Sequence, residues 1–235
     1  MLKAIISPLE ICHSPPQKKL SAHKSLASRM NRLNVAGALF FIAGTLILLG
    51  IVTAETTYPG YSVSQNYISD LGGARNGVIM QPAAAVIDTT LVVGGLLIIG
   101  GAYALHRALD KRVFPSALPL LIALAGIGSV GVGVFNETFG VIHWLLSALT
   151  FIAGGFAAIA AFSQQKAPLR YFSVILGIIT MVFAIGPYIT PAVAFLGVGG
   201  AERWVVYPIV LWLIGFGGYL MGTSSGTMSS QLVTS

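Results

Sequence analysis

Val35-Ala-Gly-Ala-Leu-Phe-Phe-Ile-Ala-Gly-Thr-Leu-Ile-Leu-Leu-Gly-Ile-Val-Thr-Ala54 contains no charged side chain. About 20 such residues, coiled as a helix, cross a hydrocarbon core of roughly 30 Å, whereas a soluble helix keeps one polar face. The run therefore reads as a first membrane span. Val52-Thr53-Ala54 faintly resembles a leader cleavage site, but a leader core of about 7–15 residues is shorter than this run, so an uncleaved anchor is expected.

Five more apolar runs follow, at Pro82–Leu105, Ser116–Phe135, Val141–Phe162, Tyr171–Pro191 and Trp204–Met221. Over the whole chain, 55% of residues are hydrophobic and 9% are charged; a soluble domain carries about 25% charged residues. The expected fold is all-α: a polytopic membrane protein with a six-helix transmembrane bundle over residues 34–222. Residues 1–33 form a basic tail with three prolines that is expected to be disordered, as are residues 223–235. Pro208, in the first turns of the last span, is expected to tilt or kink it. Cys12 is the only cysteine, which excludes an intrachain disulfide.

Charge orients the bundle. Lys3, Lys18, Lys19, Lys24, Arg29, Arg32, Arg107, Lys111, Arg112, Lys166 and Arg170 fall on one side of the spans, and only Arg75 and Arg203 on the other. The positive-inside rule then places both termini in the cytoplasm of a multi-pass protein of the cell membrane. The net charge of +6 describes a cytoplasmic rim, so nucleic acid is not expected as a partner. Gly126-Ile-Gly128-Ser-Val-Gly131 has dinucleotide-binding spacing, but it lies in mid-span with no strand before it. No cofactor is expected. The glycine-rich faces, Gly94-Gly95 and Gly126 to Gly133 among them, suit close helix packing.

Polar residues gather in the outer third of the bundle. Asn66-Tyr-Ile-Ser-Asp-Leu-Gly-Gly73 lies in the long first extracytoplasmic loop. A helix of roughly two turns from Ser62 or Ser64 is expected there as a lid, with Tyr67, Ile68 and Leu71 towards the membrane and Asn66, Ser69 and Asp70 towards a partner. His143, with Ser147 one turn deeper, starts the fourth span. Asp88 falls either inside the second span or at its interface. Glu202-Arg203-Trp204 opens the sixth span after a flexible Gly197-Val-Gly199-Gly200 linker. Each has a bland reading: a structural histidine, a helix-start carboxylate, an interfacial tryptophan. The functional reading makes Asp70, His143 and Glu202 proton-transfer candidates. Asn66, Ser69, Asp88, Asn136 and Arg203 become ligand contacts, with Arg203 as an anion clamp. A Ser69–Asp70–His143 relay is disfavoured because adjacent helical residues point about 100° apart. No metal-ligand spacing is present, and no metal is expected.

Tyr-Pro-Gly-Tyr (58–61), Asn-x-Ile-Ser-Asp-Leu-Gly (66–72), Asn136 with Phe139-Gly140 before His143, and Gly-Gly-x-Glu-Arg (199–203) together resemble the domain of unknown function 998 family, over about Asn34 to Gly222. The resemblance marks Asn66, Ser69, Asp70, His143, Glu202 and Arg203 as motif positions and implies no assigned activity. The span layout is also similar to that of six-span proteins of lipid-anchor remodelling and autophagy modulation, an analogy of layout alone. Three functions follow as expectations. One is a polar pocket at the extracytoplasmic face that binds or processes a membrane lipid or lipid-linked headgroup. The others are a non-catalytic subunit of a homo-oligomer or larger membrane complex, and a small-solute transporter. Against transport, the inner halves of the spans carry no Asp, Glu, Lys or Arg.

Overall fold

The computed structural model describes residues 16–109, 117–185 and 192–232. Six helices account for most of them: α1 (Pro16–Thr57), α2 (Ala83–Ala108), α3 (Ala117–Val134), α4 (Val141–Ala160), α5 (Leu169–Ile185) and α6 (Ala192–Leu232). Five are long and apolar enough to cross a membrane, and α5 is a sixth apolar helix of 17 residues. Ser116 and Gly186–Pro191, expected within spans three and five, lie outside the described residues.

Successive helices pack side by side, and α6 returns to α1, closing a ring. Small residues set the spacing. A methyl group on Gly95 of α2 would meet the Gly126 carbonyl of α3 at 2.7 Å, and one on Gly37 of α1 would meet the Gly217 carbonyl of α6 at 2.6 Å. Backbones this close gain dispersion contacts that larger side chains would prevent. Phe40, Trp212 and Phe216 stack where α1 meets α6. Leu49, Leu96, Ile152, Phe172 and Leu211 point outward, as helices solvated by lipid require.

Four details differ from the expected layout. First, α1 does not begin at Val35 but extends back to Pro16, into the stretch expected to be disordered. Its Lys, Gln, Leu and Ala residues are strong helix formers, and Pro suits a first helical position. Likewise, α6 continues past the expected end of its span to Leu232.

Second, the expected two-turn lid helix is a single 3-10 turn, Ser69–Leu71. Two side chains bond the loop backbone instead. Asn66 Oδ1 accepts from Ser62 N (3.0 Å), and Asp70 Oδ2 accepts from Tyr67 N (2.9 Å). Asn and Asp compete with helix in this way. Ile68 and Leu71, expected to face the membrane with Tyr67, are buried in the protein core, and Tyr67 is exposed.

Third, a hairpin of β1 (Ala74–Arg75) and β2 (Val78–Ile79) interrupts the all-α pattern. Asn76 and Gly77 form its two-residue turn with φ of 51° and 78°. Positive φ at both positions is what a type I′ turn demands, and Asn-Gly is its strongest sequence signal.

Fourth, Gly197-Val-Gly199-Gly200 is not a linker. It is a break inside α6, with Gly197 at φ 75°. Carbonyls of Val63, Ser64 and Asn66 press on Gly197 and Gly199, and Gly199 N donates to Ser64 O (3.0 Å). Glycine is required because a Cβ at either position would overlap the loop backbone.

Candidate functional site

The first loop is folded over the end of the ring by one residue from α6. Tyr58-Pro59-Gly60-Tyr61 turns the chain after α1, with Pro59 at the second position, Gly60 at φ 70° and Tyr61 N donating to Tyr58 O (3.2 Å). Pro followed by a positive-φ glycine is the type II turn pattern. Tyr58 is thereby buried and Tyr61 is brought to Arg203.

Arg203 is buried, and its guanidinium serves the loop. Nη1 donates to the carbonyls of Gly199 (2.7 Å), Val63 (2.9 Å) and Asn66 (3.4 Å); Nη2 donates to Glu55 Oε1 (2.5 Å) and Tyr61 Oη (2.8 Å). Tyr61 Oη donates in turn to Tyr67 O (2.8 Å). Burial raises the Tyr61 pKa above the ordinary phenol value, although the adjoining guanidinium opposes the shift. The carbonyls of Val63 and Asn66 lie outside regular helix and sheet, and such groups are costly unless they are satisfied. Arg203 satisfies both.

The expected site residues divide into two groups. Asn66, Asp70 and Arg203 brace the loop and are not among the residues lining the cavity described below. Asn66 Nδ2 donates to Asp70 Oδ2 (3.0 Å), so this pair stabilises the turn from within. Arg203, expected as an anion clamp, has Nη1 and Nη2 committed to Glu55, Tyr61 and backbone carbonyls, while its buried Nε has no hydrogen-bond partner among the described residues.

Ser69, Asp88, Asn136, His143 and Glu202 instead line one cavity of about 110 Å³, and Ser147 joins them. Glu202 also latches the cap, its Oε2 accepting from Ile68 N. A methyl group on Gly72 would meet Asp88 Oδ1 at 2.5 Å and Asn136 Cβ at 3.5 Å, so the loop passes directly over both side chains. His143 is 9% exposed, and its Nδ1 lies 2.9 Å from Phe135 O. A carbonyl only accepts, so Nδ1 carries the hydrogen, and Nε2 is the ring nitrogen that can present a lone pair.

Below this polar end the cavity is apolar, lined by Ile47 and Ile51 of α1, Leu91 and Ile98 of α2, Ala125 of α3, and Leu213 of α6. Asp88 to Ile98 on α2 and Glu202 to Leu213 on α6 each correspond to about 15 Å of helix rise. The space is a narrow shaft with a polar mouth under the loop.

Ser69 and Asp70 diverge, Ser69 towards the cavity and Asp70 towards Asn66 and Tyr67. Among the described residues, no group of three or more His, Cys, Asp or Glu side chains is placed to hold a metal ion.

Glu55, Tyr61 and Glu137 were not anticipated. Glu137 sits in the turn after α3, against Asp70 and Gly73. Partial burial pushes its carboxyl up to about 7, and the neighbouring Asp70 charge adds to the shift. Ser129 and Thr150, also on the cavity wall, bond to the Leu91 and Leu146 carbonyls. Both are single hydroxyl residues in apolar runs, a weak signal because such residues commonly bond back to helix carbonyls.

A ring of apolar helices closed around a polar-mouthed shaft defines a multi-pass membrane protein with an internal cavity. The chain belongs to the DUF998 family, described as "Protein of unknown function", whose model matches residues 41–219. No curated protein and no solved structure matches the chain.

Proposed function

We propose that this protein binds a membrane lipid or lipid-linked amphiphile, the polar part under the loop and the hydrocarbon part in the shaft. One observation carries the reading: the cavity changes from carboxylate, imidazole, amide and hydroxyl groups at its capped end to aliphatic side chains along its depth. An amphiphile matches that gradient. Water alone would be poorly held in the aliphatic part, since apolar cavities stay dry. The Lys and Arg asymmetry supports an extracytoplasmic mouth in the cell membrane. Processing is a further step of the same reading. His143 Nε2 and the Glu202 carboxylate are the cavity groups suited to accept a proton, whereas Asp70, expected in that role, supports the cap.

The test is to purify the protein in a mild detergent and identify retained lipids by mass spectrometry, for the parent chain and for Asp88→Ala and His143→Ala. A retained species that is depleted in both variants is expected. An unchanged lipid profile in both, with all headgroup classes turned over at background rates, contradicts the proposal.

A further inference from the structure

We infer that the ligand of this cavity is a single-chain amphiphile with a protonated amine at its head, rather than a phosphate-headed or other anionic lipid. The inference rests on the amphiphile reading above and assigns its head chemistry.

The cavity mouth is built of acceptors. Asp88 and Glu202 bring two carboxylates and Ser69 a hydroxyl that can accept as well as donate, while Asn136 Oδ1 already accepts from Thr138 N (3.3 Å) and Thr138 Oγ1 (2.5 Å). His143 is nine-tenths buried with Nδ1 donating to Phe135 O, which leaves Nε2 without a protein donor among the described residues. Glu202 accepts from Ile68 N through Oε2. No Lys or Arg lines the cavity. The one buried arginine near it, Arg203, is paired with Glu55 at 2.5 Å and holds three backbone carbonyls. An anionic head entering here would meet further acceptors and no lining cation to offset its charge, in surroundings that screen charge poorly. A protonated amine supplies what the mouth lacks, a positive charge and two or three N–H donors within a few ångströms. The shaft sets the tail. About 110 Å³ of free space between lining residues that span roughly 15 Å of helix rise suits one extended chain.

The experiment is saturable binding of tritiated dodecylamine to the amphipol-held protein at neutral pH. It is competed with unlabelled dodecylamine, dodecanol, dodecyl phosphate and ethylamine. Dodecylamine is expected to compete at least about tenfold better than the other three, and the combined Asp88→Asn and Glu202→Gln variant is expected to lose the advantage over dodecanol. Equal competition by dodecanol or dodecyl phosphate overturns the amine assignment and leaves the amphiphile reading standing. Equal competition by ethylamine shows that the tail is not recognised and overturns both. Absence of saturable binding by any dodecyl compound also overturns both. The competition series on the parent chain decides these points even where the double variant does not fold.

Discussion

Arg203 Nη2 lies 2.5 Å from Glu55 Oε1, tying the second turn after the α6 break to the last turns of α1. The side chains are 7% and 15% exposed, which puts the pair in the buried class of ion pairs rather than the solvent-screened surface class. Removing one partner of such a pair leaves the other charged and unsatisfied. Arg203→Ala is therefore expected to destabilise the protein by about 3–5 kcal/mol. Arg203→Lys is expected to recover little, because one ammonium cannot reproduce a fork that reaches five acceptors. Thermal unfolding in detergent measures both. A variant as stable as the parent chain would remove Arg203 from the bracing role.

Gly199→Ala tests the same joint from the backbone side. Its methyl group would overlap the carbonyls of Asn66 and Val63, which are backbone and cannot swing away. The loop must lift, releasing the Gly199 N to Ser64 O and Arg203 to Asn66 O bonds. Overpacking of this kind costs about 1–3 kcal/mol. Limited proteolysis should show faster cleavage between residues 58 and 73 in Gly199→Ala, while Gly215→Ala, which meets nothing within 4 Å, should behave as the parent chain.

Partial burial of Glu137, beside Asp70, gives the cap a pH dependence of defined sign. Glu137 holds its proton in the folded protein up to about 7, against an ordinary value of 4.5. The native state therefore binds this proton more tightly than the unfolded chain. The stabilisation is complete below about pH 4.5 and is lost as the pH rises through 7. Thermal unfolding of the parent chain is expected to shift downward between pH 5 and about 8, by a modest amount because Glu137 keeps exposed surface. Glu137→Gln is expected to flatten that part of the profile; an unchanged profile in the variant would assign the dependence to other groups.

The spans were legible because a run such as Val35–Ala54 has one low-energy solution in hydrocarbon, a helix that satisfies its own backbone. That Ser69, Asp88, Asn136, His143 and Glu202 fall near one another could also be read, since all lie at the same end of their spans. The shaft could not. Helices that are apolar all round give no periodic stripe to tell the lumen from the lipid, so Ile47, Ala125 and Leu213 looked like any other span residue. The partners of Arg203 were illegible for another reason: three of its five acceptors are backbone carbonyls, which every residue possesses. The Asn76-Gly77 turn is legible in its dipeptide, a short-range signal that the stronger apolar pattern around it masks.

The measurement that bears most directly on the cavity as a ligand site is to fill its apolar depth without touching its polar mouth. Ala125→Phe places a ring in the shaft, and Ile98→Leu provides a volume-conserving control at another shaft residue. Native mass spectrometry of the protein released from detergent is expected to show a bound amphiphile on the parent chain and on Ile98→Leu, and none on folded Ala125→Phe. Retention of the same adduct by folded Ala125→Phe would contradict the cavity as its binding site.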